Sequence, residues 1–265
     1  VFALSIAGCA LPSPVPLEDG APSVASDFVP SGTSGSSSGA YVVDITDMAG
    51  NAIRLSAYPE RIVVLDPGDC EILYAIGAGA SVAGRSLGCD YPAEVIALPY
   101  VTVDGQNDPE MVLLREPQLI VMGAEDAADA ELVSALTAAG VPIVVTNATD
   151  VNNMYGAISL MGQITNHATE ATALVSQLIT SIAAFQTKVS EHTDTVYLEL
   201  SPLADGMTTL GGGNIFSALL ALLGYHNEFE DQQGLLSVTQ DQVVGRSPDI
   251  ILSAARADSA TAETT

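Results

Sequence analysis

Residues able to do chemistry are unevenly stocked in this 265-residue chain: 32 Asp and Glu against 7 Lys and Arg, with 3 His and 3 Cys. His167, His192 and His226 stand far apart without ligand spacing, so a bare-metal centre is not indicated. A surface or capping role suits each of them. No Gly-x-Ser-x-Gly elbow or phosphate-cradling loop stands out, and Gly77-Ala78-Gly79 follows a helical run instead of preceding one, which speaks against a dinucleotide site. Carboxylates are plentiful enough that a hidden acid pair stays open as an enzymatic alternative. Cys70 and Cys89 form an even pair: a disulfide in an oxidising compartment, or two free, part-buried thiols. The net charge of -25 argues against nucleic acid, which needs clustered Lys and Arg, and against polybasic attachment to anionic lipid.

Two acids occupy matching places. Residues 110–121, beginning at Glu110, repeat the pattern of residues 241–252, beginning at Asp241: acid, apolar residues, Arg, any residue, Pro, then an apolar strand. The proline ends each helix and the strand follows at once. Both acids fall near a helix N-terminus, and Thr239 with Gln242 makes a capping-box pattern around Asp241. Complementing the helix dipole, worth ~0.3–1 kcal/mol, is the plain alternative to a functional role. The repeat predicts two lobes of related architecture; coincidence of a common helix-to-strand connection is the other reading.

The elements that must position these residues alternate between strand and helix. A hairpin is expected over 41–55, and short apolar β-branched strands at 61–65, 81–83, 119–122, 141–145, 196–200 and 250–252. Asp69 is expected to cap a helix running to Ile76, and a further helix covers 129–139. Continuous apolar strands between helices indicate an α/β fold with parallel sheets flanked by helices. From 151 to 189 the strand signal stops, and Ala171, Leu174, Val175, Leu178, Ile179, Ile182, Phe185 and Val189 repeat at helical spacing. A single long backbone helix joining two lobes, with a cleft between them, is therefore expected. The organisation reads as a first lobe at 41–150, a linker helix at 151–192 and a second lobe at 193–265, expected to be truncated before its last strand and helix.

Ahead of these lobes, residues 1–9 are apolar and end in Ile6-Ala7-Gly8-Cys9, too short to span a bilayer. This run resembles the lipobox of bacterial lipoproteins, in which the cysteine thiol receives a diacylglycerol. An ordinary buried cysteine is the alternative. Residues 10–40, rich in Pro, Ser and Gly, cannot bury enough apolar surface to fold and are expected to act as a flexible tether.

Several short motifs stand in order along the chain: Asp47-Met48-Ala49-Gly50-Asn51, Pro59-Glu60-Arg61-Ile62-Val63, Glu71-Ile72-Leu73-Tyr74-Ala75-Ile76-Gly77, Asp90-Tyr91-Pro92, both Arg-x-Pro repeats, and Gly211-Gly212-Gly213-Asn214-Ile215-Phe216. Together they resemble the iron-complex and corrinoid substrate-binding proteins of ABC importers. The resemblance implies two α/β lobes with a ligand cleft, an exported lipoprotein held on the outer face of the cytoplasmic membrane, a monomer, and no cofactor. It implies docking of Glu110 and Asp241 into arginine-lined pockets of a permease dimer. Cleft positions matching the family are Gly88, Asp104, Gly123, Leu200 and Leu235, none of them aromatic, with Tyr91 nearby and Arg85 the main candidate cation. The ligand expected is a siderophore or haem iron chelate, or a corrinoid such as cobalamin; the scarcity of cations favours a near-neutral corrinoid or hydroxamate chelate over a highly charged ferric catecholate. A secreted α/β enzyme and a non-transport surface-binding protein are the alternatives.

Overall fold

The computed structural model describes residues 42–187, 193–201 and 206–254. It begins with an antiparallel hairpin of β1 (Val43–Thr46) and β2 (Ala52–Leu55). Asp47, 6% exposed, organises the turn between them. Its carboxylate accepts from Ala49 N at 3.0 Å, Asn51 N at 2.7 Å and Asn51 Nδ2 at 3.0 Å, and Gly50 adopts the positive φ that the turn requires. The same carboxylate reaches across the chain to accept from Val145 N at 3.0 Å. The Asp47–Asn51 motif is thus a latch that fastens the hairpin to the first lobe.

That lobe contains β3 (Ile62–Val64), α1 (Pro67–Ala75), β4 (Val82–Arg85), β5 (Thr102–Val103), β6 (Gln106–Asn107), α2 (Pro109–Leu113), β7 (Leu119–Gly123), α3 (Ala124–Ala127), α4 (Ala130–Ala138) and β8 (Ile143–Thr146). Four strands make a sheet of order β4-β3-β7-β8, parallel throughout. Side chains alternate faces. Ile62, Val64, Leu119, Val121 and Val144 enter one core beneath α1, while Val63, Leu65, Ile120, Met122 and Val145 enter the other with Leu132 and Leu136 of α4. Burial on both faces explains why these strands read as unbroken apolar runs. The Arg61 motif secures the entry to β7: its guanidinium donates to the carbonyls of Arg115 and Glu116, and Gln118 Oε1 accepts from Glu60 N at 2.6 Å.

The helical segment expected at 151–192 is divided. α5 (Val151–Thr165) ends at Asn166, whose φ of 63° is left-handed, and α6 (Ala168–Gln186) restarts two residues later. α5 belongs to the first lobe's core, so the long joining helix is α6 alone. One side of α6 packs Leu174, Val175 and Leu178 against that core. Its other side carries Thr172, Ser176 and Thr180, each donating back to the carbonyl four residues earlier.

The second lobe contains β9 (Thr195–Glu199), β10 (Met207–Leu210), α7 (Ile215–Leu222), β11 (His226–Asn227), β12 (Leu235–Val238), α8 (Gln240–Arg246) and β13 (Ile250–Ser253). Its parallel sheet has the order β11-β9-β13, and β10 pairs antiparallel with β12. Tyr197, Met207, Phe229, Val238 and Val243 form its small core. Arg246 closes it, lying 4.5 Å over the Phe229 ring and gripping Asp231 through two hydrogen bonds of 2.9 and 2.8 Å.

Candidate functional site

In an open parallel sheet, ligands enter at the carboxyl ends of the strands where the strand order reverses. The chain leaves β3 for β4 on one side and returns to β7 on the other, so that point lies between the ends of β3 and β7. Asp66 and Gly123 meet there. Asp66 caps α1, its Oδ1 accepting from Asp69 N at 3.1 Å, and Pro67 occupies the first helical position. Gly123 precedes α3, and a Cβ on it would stand 2.8 Å from Asp66 Oδ2. Gly88 belongs to the same rim: its added Cβ would meet Pro67 at 3.2 Å. The fold therefore brings Gly88 and Gly123 together around the start of α1, and a side chain at Gly123 would force the Asp66 carboxylate to shift.

Electrostatically this rim is acidic. Asp69, expected as the cap of α1, points inward: Thr146 Oγ1 lies 2.6 Å from its Oδ2. Burial, then the Asp66 carboxylate, push Asp69 up to about 8, against the opposing pull of the Thr146 hydroxyl. The Thr146 hydroxyl donates to Asp69 Oδ2 and also lies 3.3 Å from Met122 O. Burial likewise raises Asp126 and Glu71; Asp66 contributes to both, and Asn107 donates to Asp126 at 2.9 Å. Arg85, expected as the cleft cation, is 6% exposed, and its guanidinium is taken up by backbone carbonyls: Ser86 at 3.3 Å, Cys89 at 3.0 Å and Ile96 at 3.3 Å. It fixes the loop that carries Gly88 and Tyr91, so its charge faces that loop's carbonyls.

The remaining expected residues lie on other elements. Tyr91 is 64% exposed, which rules out a core role. Asp104 sits exposed in the β5–β6 turn with a φ of 51°. Leu200 follows β9 at the carboxyl end of the second lobe's central strand, its N–H bonded to Thr208 O at 2.9 Å. Leu235 lies on β12, paired with Leu210 and 68% exposed. Cys70 and Cys89 are buried free thiols that act on each other through a side-chain hydrogen bond: Cys89 pushes Cys70 up, and Cys70 draws Cys89 down. Cys9 and His192 lie outside the described residues. His167 occupies the break between α5 and α6, with Nδ1 2.7 Å from Thr165 O. Among the described residues no three His, Cys, Asp or Glu gather as metal ligands.

Glu110 and Asp241 occupy the same place in their helices. Each is exposed and second in its helix, after Pro109 in α2 and after Gln240 in α8. Each helix is followed within three residues by a left-handed residue, Glu116 at φ 50° and Ser247 at φ 59°, then Pro and a strand. The two copies of the repeat thus share a backbone path as well as a residue pattern.

Sequence reasoning passed over Asp66, Thr146 and Asp126. Asp66 had a signal, the Asp-Pro pair that starts a helix; Thr146 and Asp126 act through partners distant in the chain and had none.

Residues 62–264 match the profile of a family described as periplasmic binding protein. The chain is 26% identical over 217 residues to an ABC transporter substrate-binding lipoprotein of Bacillus subtilis (strain 168), covering 80% of this chain and 69% of that one. It is 24% identical over 227 residues to a cobalamin-binding protein of Halobacterium salinarum (strain ATCC 29341 / DSM 671 / R1), covering 82% of this chain and 60% of that one. A crystal structure of the periplasmic heme binding protein HutB of Vibrio cholerae superposes with a TM-score of 0.62 at 20% identity, covering 75% and 77% of the two chains. These relatives are binding proteins, and what they bind is their cargo and not a resident cofactor. The chain belongs to the periplasmic binding protein family, whose members work outside the cytoplasm.

Proposed function

We propose that this chain is the solute-capturing component of an ABC importer, taking a near-neutral metal chelate, a corrinoid or a ferric hydroxamate, between its lobes and delivering it to a permease dimer. One observation carries the ligand class: the switch-point rim holds Asp66, Glu125 and Asp126, and Arg85, the cation expected for the cleft, is bonded to backbone carbonyls. Anionic ferric catecholates, and the propionates of haem, meet like charge there. The name of the Halobacterium relative supports the corrinoid. Gly88, Tyr91, Asp104 and Gly123 would contact the ligand from the first lobe, and Leu200 and Leu235 from the second, with Arg85 shaping the Gly88 loop. Glu110 and Asp241 would dock the permease, their shared helical position supporting a two-fold arrangement. A diacylglycerol on Cys9 would hold the monomer on the outer face of the cytoplasmic membrane.

The test is an absorbance titration of the purified chain with cyanocobalamin, a ferric hydroxamate, haemin and a ferric catecholate. Saturable binding of one of the first two, with the ligand recovered unchanged, is expected. Preference for the catecholate or haemin overturns the ligand class, and chemical conversion of the ligand overturns the receptor reading. Glu110→Lys with Asp241→Lys should abolish uptake while leaving ligand affinity intact; lost affinity refutes the docking assignment.

A further inference from the structure

Beside the outer edge of β4 lies a recess whose lining shares Arg85 and Asp104 with the residues proposed for the chelate but includes neither Gly88 nor Gly123. Residues 99–101 run along that edge, with Arg85 N donating to Pro99 O at 3.1 Å and Val101 N to Arg85 O at 2.8 Å. Between this stretch and α2 opens a groove of about 720 Å³, lined by Ile96, Leu98, Tyr100 and Met111 and by Arg85 and Arg115.

Arg115 differs from the other arginines among the described residues. Arg54 pairs with Asp44, Arg61 and Arg85 donate to backbone carbonyls, and Arg246 grips Asp231. Arg115 has no acceptor among the described residues, and its buried Nε–H, like that of Arg85, is unpartnered. A buried guanidinium donor without a partner is unusual, because desolvating it goes uncompensated. Nor is the side chain loosely held. Arg61 bonds its carbonyl, and its stem lies across Gly84, where a Cβ would approach Arg115 Cγ to 2.8 Å. The chain has thus made room for an arginine there.

The internal repeat supplies the comparison. Arg246 holds the matching place, one residue before a left-handed residue and Pro, and its fork receives the two oxygens of Asp231. Arg115 presents the same fork to a groove. The geometry points to a binding site for a small amphipathic monocarboxylate, its carboxylate on the Arg115 guanidinium and its apolar body along Ile96, Leu98, Tyr100 and Met111. Planar bidentate pairing selects the carboxylate over a neutral or cationic group. Asp104, the one acid lining the groove, is exposed and disfavours a second negative charge on the ligand.

Benzoate, benzyl alcohol and benzylamine serve as anionic, neutral and cationic probes of one shape, titrated into the full chain while backbone amide resonances are followed. Saturable benzoate shifts at Leu98, Tyr100 and Met111 are expected, with benzyl alcohol about tenfold weaker and benzylamine without effect. Arg115→Gln should remove the benzoate response and Arg115→Lys should weaken it, because lysine keeps the charge without the fork. Chelate affinity should be unchanged in both variants, so this site and the chelate site are tested separately. Shifts confined to Gly88 and Gly123, absence of saturation, or a benzoate response that persists in Arg115→Gln overturns the assignment.

Discussion

Replacing Asp69 by asparagine swaps a carboxyl for an amide of nearly the same shape inside the first lobe and removes one titration. In the folded chain burial, followed by the Asp66 carboxylate, pushes this group from 3.8 up to about 8. Unfolded, it ionises near its ordinary value. Between the two values the unfolded chain releases a proton that the folded chain retains, so stability falls as pH rises, by about 1.4 kcal/mol per pH unit. The penalty is absent below the unfolded value, grows through the window from about 4 to about 8, and is complete above it. An amide accepts from Thr146 as the carboxyl oxygen does, at the 2.6 Å contact, yet never ionises. Asp69→Asn should therefore match the parent near pH 4 and exceed it by about 3 kcal/mol near pH 6. Urea unfolding followed by circular dichroism at several pH values measures this, and taking the difference between the two proteins cancels the other acids. A stability difference that does not grow with pH, or a variant less stable near pH 6, refutes the neutral-carboxyl assignment.

Asp47→Ala leaves Val145 N and Asn51 N without their acceptor and unlatches the hairpin; a loss of about 2–4 kcal/mol in urea unfolding is expected, and an unchanged midpoint contradicts the latch. Gly123→Ala drives a Cβ toward Asp66 Oδ2, displacing the cap of α1, so stability should fall by about 1–2 kcal/mol and chelate affinity should fall with it. Intact affinity in that variant would move the chelate away from the switch point. Because Cys70 draws Cys89 down and is itself pushed up, iodoacetamide should label Cys89 first. Oxidised dithiothreitol should join the pair, lowering the intact mass by two hydrogens; full labelling of both thiols after that treatment argues against pairing.

The parallel sheet was legible because strands buried on both faces leave an unmistakable apolar record, as at Ile62–Val64 and Leu119–Gly123. The cap of α1 was misplaced from Asp66 to Asp69 because the partner that turns Asp69 inward, Thr146, lies 77 residues away. The division of the expected 151–192 helix left little trace, since the apolar stripe continues on both sides of Asn166. At the junction Gly162 leaves room for Ala171, where a Cβ would clash, and Asn166 accepts the left-handed conformation between the two helices. Arg85 showed its charge but not its use, because the carbonyls it binds depend on the path of the loop from 86 to 96. Residue types were readable throughout, while partnerships formed across the chain were not.

Glu110 and Asp241 separate the two explanations offered for a first-turn acid. Were the helix dipole their purpose, each would supply what its helix end lacks. Both ends are already capped: Asp108 Oδ1 accepts from Met111 N at 2.8 Å, and Thr239 Oγ1 accepts from Gln242 N at 3.2 Å in a complete capping box. Asp108 also brings its own negative charge to the start of α2. The dipole contribution of each exposed acid is then a few tenths of a kcal/mol at most. Neutralising both, as Glu110→Gln with Asp241→Asn, should barely move the urea midpoint and should weaken association with the permease strongly. A clear loss of stability with association intact would return both acids to the helices that carry them.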